Sequence, residues 1–328
     1  MALSVLSGLR RSPAFEIEQS LGKYGPLVGK AYRIIDRGGV VSDFIADPRT
    51  TLMGCFPKGL VQKWLPRRNG PLVSVIVATR NNAATILQSL QTLVEQSHRN
   101  MEIIVIDDAS DDHSPDLIRW MAKQDRRITV VHNEKRLGTG RSRNIGLKLA
   151  TGDYATFHDG DDFSSPTRIS AQLAIFNKFQ GKTLSLCNYV RVDDQGRRLE
   201  INNRRVMKCI ISMMFPRREV LERVGYFSDS SISEDSDFYQ RIKIEFGPAC
   251  EVLVFRTLYE ALFRPNSSFF SDVTVEMIEG QAVKFSRSEQ SLNALAELKA
   301  RHALMREGRL PVFVGFDETA CIDAGSTW

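Results

Sequence analysis

The chain has 328 residues, 42% hydrophobic and 25% charged, an ordinary globular composition with enough apolar material for a full core. Five cysteines, Cys55, Cys187, Cys209, Cys250 and Cys321, are scattered without a CxxC pair, which argues against a disulfide framework or a zinc site and for a reducing compartment. The net charge of +5 comes from residues 1–70, where 11 Lys/Arg stand against 5 Asp/Glu, the remainder being close to neutral at 33 against 34; Trp64, Trp120 and Trp328 form no stacking series, so no nucleic-acid partner is expected.

Residues 1–70 show no strong alternation, are interrupted by Gly and Pro, and end in the linker-like Pro66-Arg67-Arg68-Asn69-Gly70-Pro71. They read as a basic, largely helical extension with a solvated face; peripheral contact with anionic lipid is the alternative. No run approaches the roughly 20 apolar residues of a membrane span, so the expected location is cytoplasmic, with the inner membrane face as the alternative.

From Leu72 short β-branched runs alternate with amphipathic segments, the pattern of βαβ units and a mostly parallel sheet. Val73 to Ala78 is apolar enough for a strand covered on both faces, and Ile86, Leu87, Leu90, Leu93 and Val94 repeat at helical spacing. Ile103 to Ile106 forms a second strand, followed by Asp107, Asp108, Asp111 and Asp112; Leu117, Ile118 and Met121 mark the next helix and Ile128 to Val131 a third strand. Gly138 to Gly146 leads into another helix, but Gly138-Thr139-Gly140 lacks the lysine and spacing of a P-loop and does not follow the first strand, which disfavours NTPase and dinucleotide-binding folds. Tyr154 to His158 is the fourth strand and runs straight into Asp159-Gly160-Asp161-Asp162.

Further on, Pro166 to Phe179 reads as helix, Leu184 to Val190 as a strand closed by the Asp193-Asp194-Gln195-Gly196 turn, and Ile210 to Phe215 as an apolar run. Arg218 to Val224 and Asp235 to Phe246 read as helices, Glu251 to Phe263 as a return strand or hairpin, and the tail from Val273 as largely helical. Leu292, Leu295, Leu298 and Leu304 form a stripe expected to dock on the core. The expected division is an N-terminal extension over 1–70, an α/β domain over 71–270 and a helical extension over 271–328.

Two acidic groups therefore stand at strand ends, where parallel sheets bind ligands. Carboxylates so concentrated suit Mg²⁺ or Mn²⁺ bridging to the phosphates of a nucleotide diphosphate, where the metal assists its departure. For either group alone, turn and helix-cap aspartates are the plainer alternative. A third patch, Ser233-Glu234-Asp235-Ser236-Asp237, opens a helix; capping explains part of it, and a general base for an acceptor hydroxyl is the functional alternative. His158 reads as a packed or solvated strand-end residue.

Five segments, Val73 to Asn81, Ile106 to Asp112, Leu137-Gly138 with Ser142 to Gly146, Phe157 to Asp162, and Glu234 to Asp237, together resemble family 2 glycosyltransferases over roughly Leu72 to Ser268. The resemblance implies an inverting enzyme with a GT-A-type, Rossmann-like mostly parallel α/β sheet flanked by helices. It implies that Ala78, Thr79 and Asp108 cradle the base and ribose of the donor, uridine being the commonest base, and that Arg143 and Asn144 lie near its phosphates. Asp159-Gly160-Asp161 resembles the DXD element, with Asp161 the direct ligand of Mn²⁺ or Mg²⁺ and Asp159 nearer the ribose or sugar. Asp235 matches the catalytic base, Glu234 is its closest competitor, and Arg264 begins a segment that resembles one closing over the diphosphate. The expected partners are a nucleotide-sugar donor and a glycan or lipid-linked acceptor. The competing readings are a nucleotidyltransferase that makes nucleotide sugars and an inactive sugar-nucleotide module of a larger polysaccharide-synthesising assembly.

Overall fold

The computed structural model describes residues 70–229, 233–264, 273–277 and 282–317, and four strands within the first 46 residues. Those four, β1 (Leu3–Ser4), β2 (Phe15–Ser20), β3 (Lys30–Asp36) and β4 (Gly39–Ala46), form an antiparallel sheet in chain order. The expectation of a largely helical N-terminal extension is corrected there. Phe15-Glu16-Ile17-Glu18 alternates with a period of two, as a strand with one covered face does.

The α/β unit begins at β5 (Val73–Thr79), whose seven residues are all buried. β6 (Met101–Asp107) and β8 (Tyr154–Asp159) flank it in parallel, and β7 (Ile128–His132) continues the sheet beyond β6. Alternate side chains of β5 face opposite ways. Val73, Val75 and Val77 join Ile103 and Val105 under α1 (Ile86–Val94), α2 (Ser114–Gln124) and α4 (Arg168–Lys178). Ile76 faces the other layer, with Leu147 of α3 (Thr139–Leu149), Val220 of α5 (Arg217–Arg223) and Phe238 and Ile242 of α6 (Glu234–Phe246). Each fully buried aliphatic side chain contributes about 1.5–3 kcal/mol.

Beyond β8 the sheet becomes mixed. β12 (Met207–Pro216) runs antiparallel to β8 and to β10 (Leu184–Val192), which closes on β11 (Arg198–Ile201) through the expected turn, where Gly196 has φ 76°. β13 (Glu251–Leu262) returns parallel to β10 and also pairs with the two-residue β9 (Phe163–Ser164), so it is a strand rather than a hairpin.

The tail is less helical than expected. β14 (Val273–Met277) and β15 (Ala282–Arg287) pair with each other, and β15 adds to β11, so the main sheet runs past the boundary placed at residue 270. Only then does α7 (Glu289–Arg306) begin, with the Ser288 side chain capping the Ser291 N–H. Its buried line is Ser291, Leu298, His302 and Met305, whereas Leu292 of the expected stripe is 54% exposed. The chain then crosses back to Gly225: Tyr226 N–H donates to the Val314 carbonyl and Val314 N–H to that of Val224.

Gly225 has φ +78°, and a Cβ there would lie 1.9 Å from the Val314 carbonyl oxygen. Left-handed strain and a backbone collision combine, so Gly225→Ala is expected to cost about 2–4 kcal/mol, read as a lower thermal midpoint. An unchanged midpoint would show that this closure does not hold the tail.

Candidate functional site

The register of the parallel strands puts both acidic groups on one sheet edge. Thr79 stands opposite Asp107, and Ala78 opposite Asp159. The chain turns sharply at both neighbours: Asn81 and Ala109 have φ of 52° and 53°, a conformation non-glycine residues adopt only at a cost.

The first acidic group is held in a network of hydrogen bonds. Asp112 accepts from the N–H groups of Ala83 and Ser114, Asp107 accepts from Ser110 and faces His132 at 3.2 Å, and Asp111 is engaged by Asn81. Asp108 is buried and accepts from Leu137 N at 2.7 Å, Gly138 N at 2.9 Å and Asn133 Nδ2 at 2.9 Å. Four carboxylates thus tie the surrounding loops together through caps and turns. Asp108 shapes the floor beside Ala78 and Thr79 with its carboxylate already occupied.

The second group differs. Gly160 packs so closely that a Cβ would lie 2.3 Å from Thr79 Oγ1, which fixes the identity of the residue between the two aspartates. Asp159 accepts from Arg143 Nη2 at 2.8 Å and Asp161 from Arg264 Nη2; their side chains are 33% and 17% exposed. Burial, and then repulsion from Asp161, pushes the Asp162 pKa well above the ordinary carboxylate range. Burial also raises that of Asp161, with Arg264 opposing it. The patch holds more acid than its arginines compensate.

Arg143 is the link to the third patch. It is 4% exposed, and its Nη1 reaches Glu234 Oε1 at 3.1 Å while Nη2 holds Asp159. Burial works against its charge, but Asp159 and Glu234 outweigh it and hold its pKa above the ordinary value. Beneath it lie the rings of Phe157 and Phe227, at 5.9 and 5.7 Å from the guanidinium carbon. Phe238 of α6 stacks on Phe227 with centroids 4.5 Å apart, so β8 and the helix that carries Glu234 and Asp235 share one aromatic core. Asn144 clamps the backbone of Phe227 with both ends of its amide, at 2.8 and 3.0 Å.

Within the third patch the carboxylates separate. Asp237 is completely buried and accepts from Ser228 Oγ, Arg241 Nε and His302 Nε2; although burial opposes ionisation, these donors hold it well below the ordinary range, so it is a fixed anion. Glu234 is engaged by Arg143, and burial raises its pKa. Asp235 is half-buried and, among the described residues, bonds only the N–H of Ser236. Ser233, just before the helix, is a third strained residue at φ 57°.

β13 supplies the back wall, which sequence reasoning missed. The Asp159 N–H donates to Tyr259 Oη at 3.1 Å, Leu262 N–H donates to Asp162 at 3.0 Å, and Arg264 follows just past the strand. The only signal was a Tyr259-Glu260 pair within an otherwise apolar strand end. His158 is fully buried, bonded to Ser89, Ser164 and the Asp162 carbonyl, and burial lowers its pKa, so it is a neutral packing residue as the sequence suggested.

The carboxylates of Asp159 and Asp161 fit a hard cation held mainly by phosphate oxygens, since such ions take one or two protein carboxylates beside substrate oxygens. Among the described residues no three His, Cys, Asp or Glu side chains form a preformed cage.

Glu260 is fully buried, neither carboxylate oxygen has a hydrogen-bond partner, and burial raises its pKa to about 8. The folded state therefore retains a proton that the unfolded chain loses near 4.5, and the stability this lends falls as pH rises through that window. Glu260→Gln, which mimics the protonated acid, should match the wild type near pH 4.5 and exceed it by roughly 2–5 kcal/mol above pH 8. Denaturation across pH checks this; parallel curves would contradict it.

Comparisons with known proteins bear on the family and the fold. The family model described as glycosyl transferase family 2 matches residues 74–246, just over half of the chain. An uncharacterized glycosyltransferase of Rickettsia bellii is 35% identical over 131 residues, covering 40% of this chain and 19% of that protein. Another from Haemophilus influenzae is 33% identical over 133 residues, 40% of this chain and 53% of that protein. The match thus spans about half or less of those relatives' own lengths. Among solved structures, Staphylococcus aureus TarS 1-349 in complex with UDP-GlcNAc has the same fold, with a TM-score of 0.54 and 20% identity over 71% of this chain and 66% of that one. The chain belongs to glycosyl transferase family 2.

Proposed function

We propose that this chain is an inverting glycosyltransferase, moving a sugar from a nucleotide-sugar donor, with uridine as the base, to a hydroxyl of a glycan or lipid-linked acceptor. The observation that carries this reading is the Arg143 bridge, which holds Asp159 of the strand-end motif and Glu234 of α6 on one guanidinium. A donor site and a base on separate elements are thereby held at one crevice.

Ala78, Thr79 and the loop anchored by Asp108 form the floor for the base and ribose. Asp159 and Asp161 are the residues that would hold a divalent metal beside the diphosphate. A bound Mn²⁺ or Mg²⁺ supplies Lewis-acid stabilisation of charge on the departing diphosphate. Arg264 is bonded to Asp161 at the rim and is the cation best placed to turn towards those phosphates. Asp235 takes the proton from the acceptor hydroxyl, because Asp237 is held by three donors and Glu234 by Arg143. Displacement in one step from the face opposite the leaving group inverts the anomeric centre.

The fold neighbour was solved with UDP-GlcNAc, which makes that donor the first to test. Asp235→Asn keeps the shape and removes the base, so kcat should fall by roughly 10²–10⁴-fold with little change in donor KM. Full activity would move the base to Glu234. NMR of the product should show inverted configuration, and retention would refute single displacement.

A further inference from the structure

The helix that carries Glu234 and Asp235 is anchored from outside the part of the chain that matches the family. The matched region ends at residue 246, yet Asp237, one turn into α6, accepts at Oδ1 from Nε2 of His302 on α7 at 2.9 Å. A carboxylate can only accept, which makes Nε2 the protonated nitrogen of His302. The pair is 5% and 0% exposed. The other oxygen, Oδ2, accepts from Ser228 Oγ at 2.7 Å and Arg241 Nε at 2.9 Å.

Arg241 carries the connection further, donating to the carbonyls of Val224 at 2.9 Å, Tyr226 at 2.6 Å and Val312 at 3.4 Å. The segment after α7 closes on the same place through Val314 and Gly225. One buried anion thus fastens together the loop at Ser228, the first turn of α6, α7 and the returning tail. Ser233 reaches the helix through a left-handed conformation, so the first turn has a strained entry and needs an external hold.

We infer that His302 is a positioning residue for catalysis: by bonding Asp237 it fixes the first turn of α6, and with it Asp235, against the donor motif. The C-terminal extension is then a working part of the active site. This inference rests on the reading of Asp235 as the base. His302 touches no substrate and acts only through Asp237.

The test compares full-length wild type with His302→Leu, His302→Asn and His302→Gln by hydrogen exchange and by UDP-GlcNAc hydrolysis. Gln places a donor near the position of Nε2, whereas Asn is too short to reach Asp237. In the Leu and Asn variants, peptides covering the first turns of α6 should exchange about tenfold faster while β5 and β6 keep wild-type protection. Their kcat should fall by about tenfold with KM within about twofold, since misplacement affects the reacting geometry more than donor binding. The Gln variant should recover both within about threefold. If Leu does not fold, Asn and Gln still give the comparison.

Wild-type protection of α6 in both disruptive variants would overturn the inference, as would faster exchange with unchanged kcat or a Gln variant no better than Asn. Asp235→Asn run alongside separates the two readings. If that variant is fully active, the base assignment fails, while the exchange data still decide whether His302 orders the helix.

Discussion

A single buried guanidinium constrains this site. Arg143 has two carboxylates within reach, one on the strand end that bears the Asp159-Gly160-Asp161 run and one on the helix that bears Asp235. Losing either partner leaves charge buried without full compensation, which costs about 3–5 kcal/mol in comparable settings. The aromatic cluster of Phe157, Phe215, Phe227 and Phe238 supports this arrangement from below, because it packs β8 and α6 against the same rings. Electrostatics at the surface of the crevice and packing in the core beneath it impose the same separation between the Asp159-Gly160-Asp161 run and the first turn of α6.

Of the five non-glycine residues with positive φ among the described residues, three lie around the same crevice; the other two, Asn202 and Asn203, follow β11. Asn81 follows β5, Ala109 follows β6, and Ser233 precedes α6, each with positive φ. Hydrogen bonds donated to Asp111 by Asn81 and to Asp112 by the Ala83 and Ser114 N–H groups tie the first two loops together. The first acidic group therefore shapes the crevice, and the second carries the charge that a cation and a diphosphate would meet. Burial first, and then the neighbouring carboxylates, raise the pKa values of Asp161 and Asp162.

Much of this was legible in the sequence where local signals and burial agree. Val73 to Thr79 and Ile103 to Ile106 are apolar enough to declare themselves strands, and the position of Asp159 at the end of the fourth strand follows from the alternation of elements. The aspartates at 107–112 were harder, because capping and metal binding demand the same residue types; only the partners of Asp108 and Asp112 distinguish them. The N-terminal strands were missed because Gly and Pro interrupt a period-two pattern too short to stand out. The roles of Tyr259 and His302 had no local signal at all: each meets its partner 100 and 65 residues away in the chain, and only the closed fold brings them together. Asn144 carried a family expectation, and its actual partner, the backbone of Phe227, is equally a product of tertiary packing.

The central claim is that Asp159 and Asp161 receive a nucleoside diphosphate together with a divalent cation. Thermal unfolding of the full chain with UDP alone, Mn²⁺ alone and both together tests it most directly, since a ligand that binds only the folded state raises the midpoint. The account predicts a large shift only when UDP and Mn²⁺ are combined, and its loss in Asp161→Asn. An equal shift from UDP in the presence of a chelator, or an undiminished one in Asp161→Asn, would contradict it.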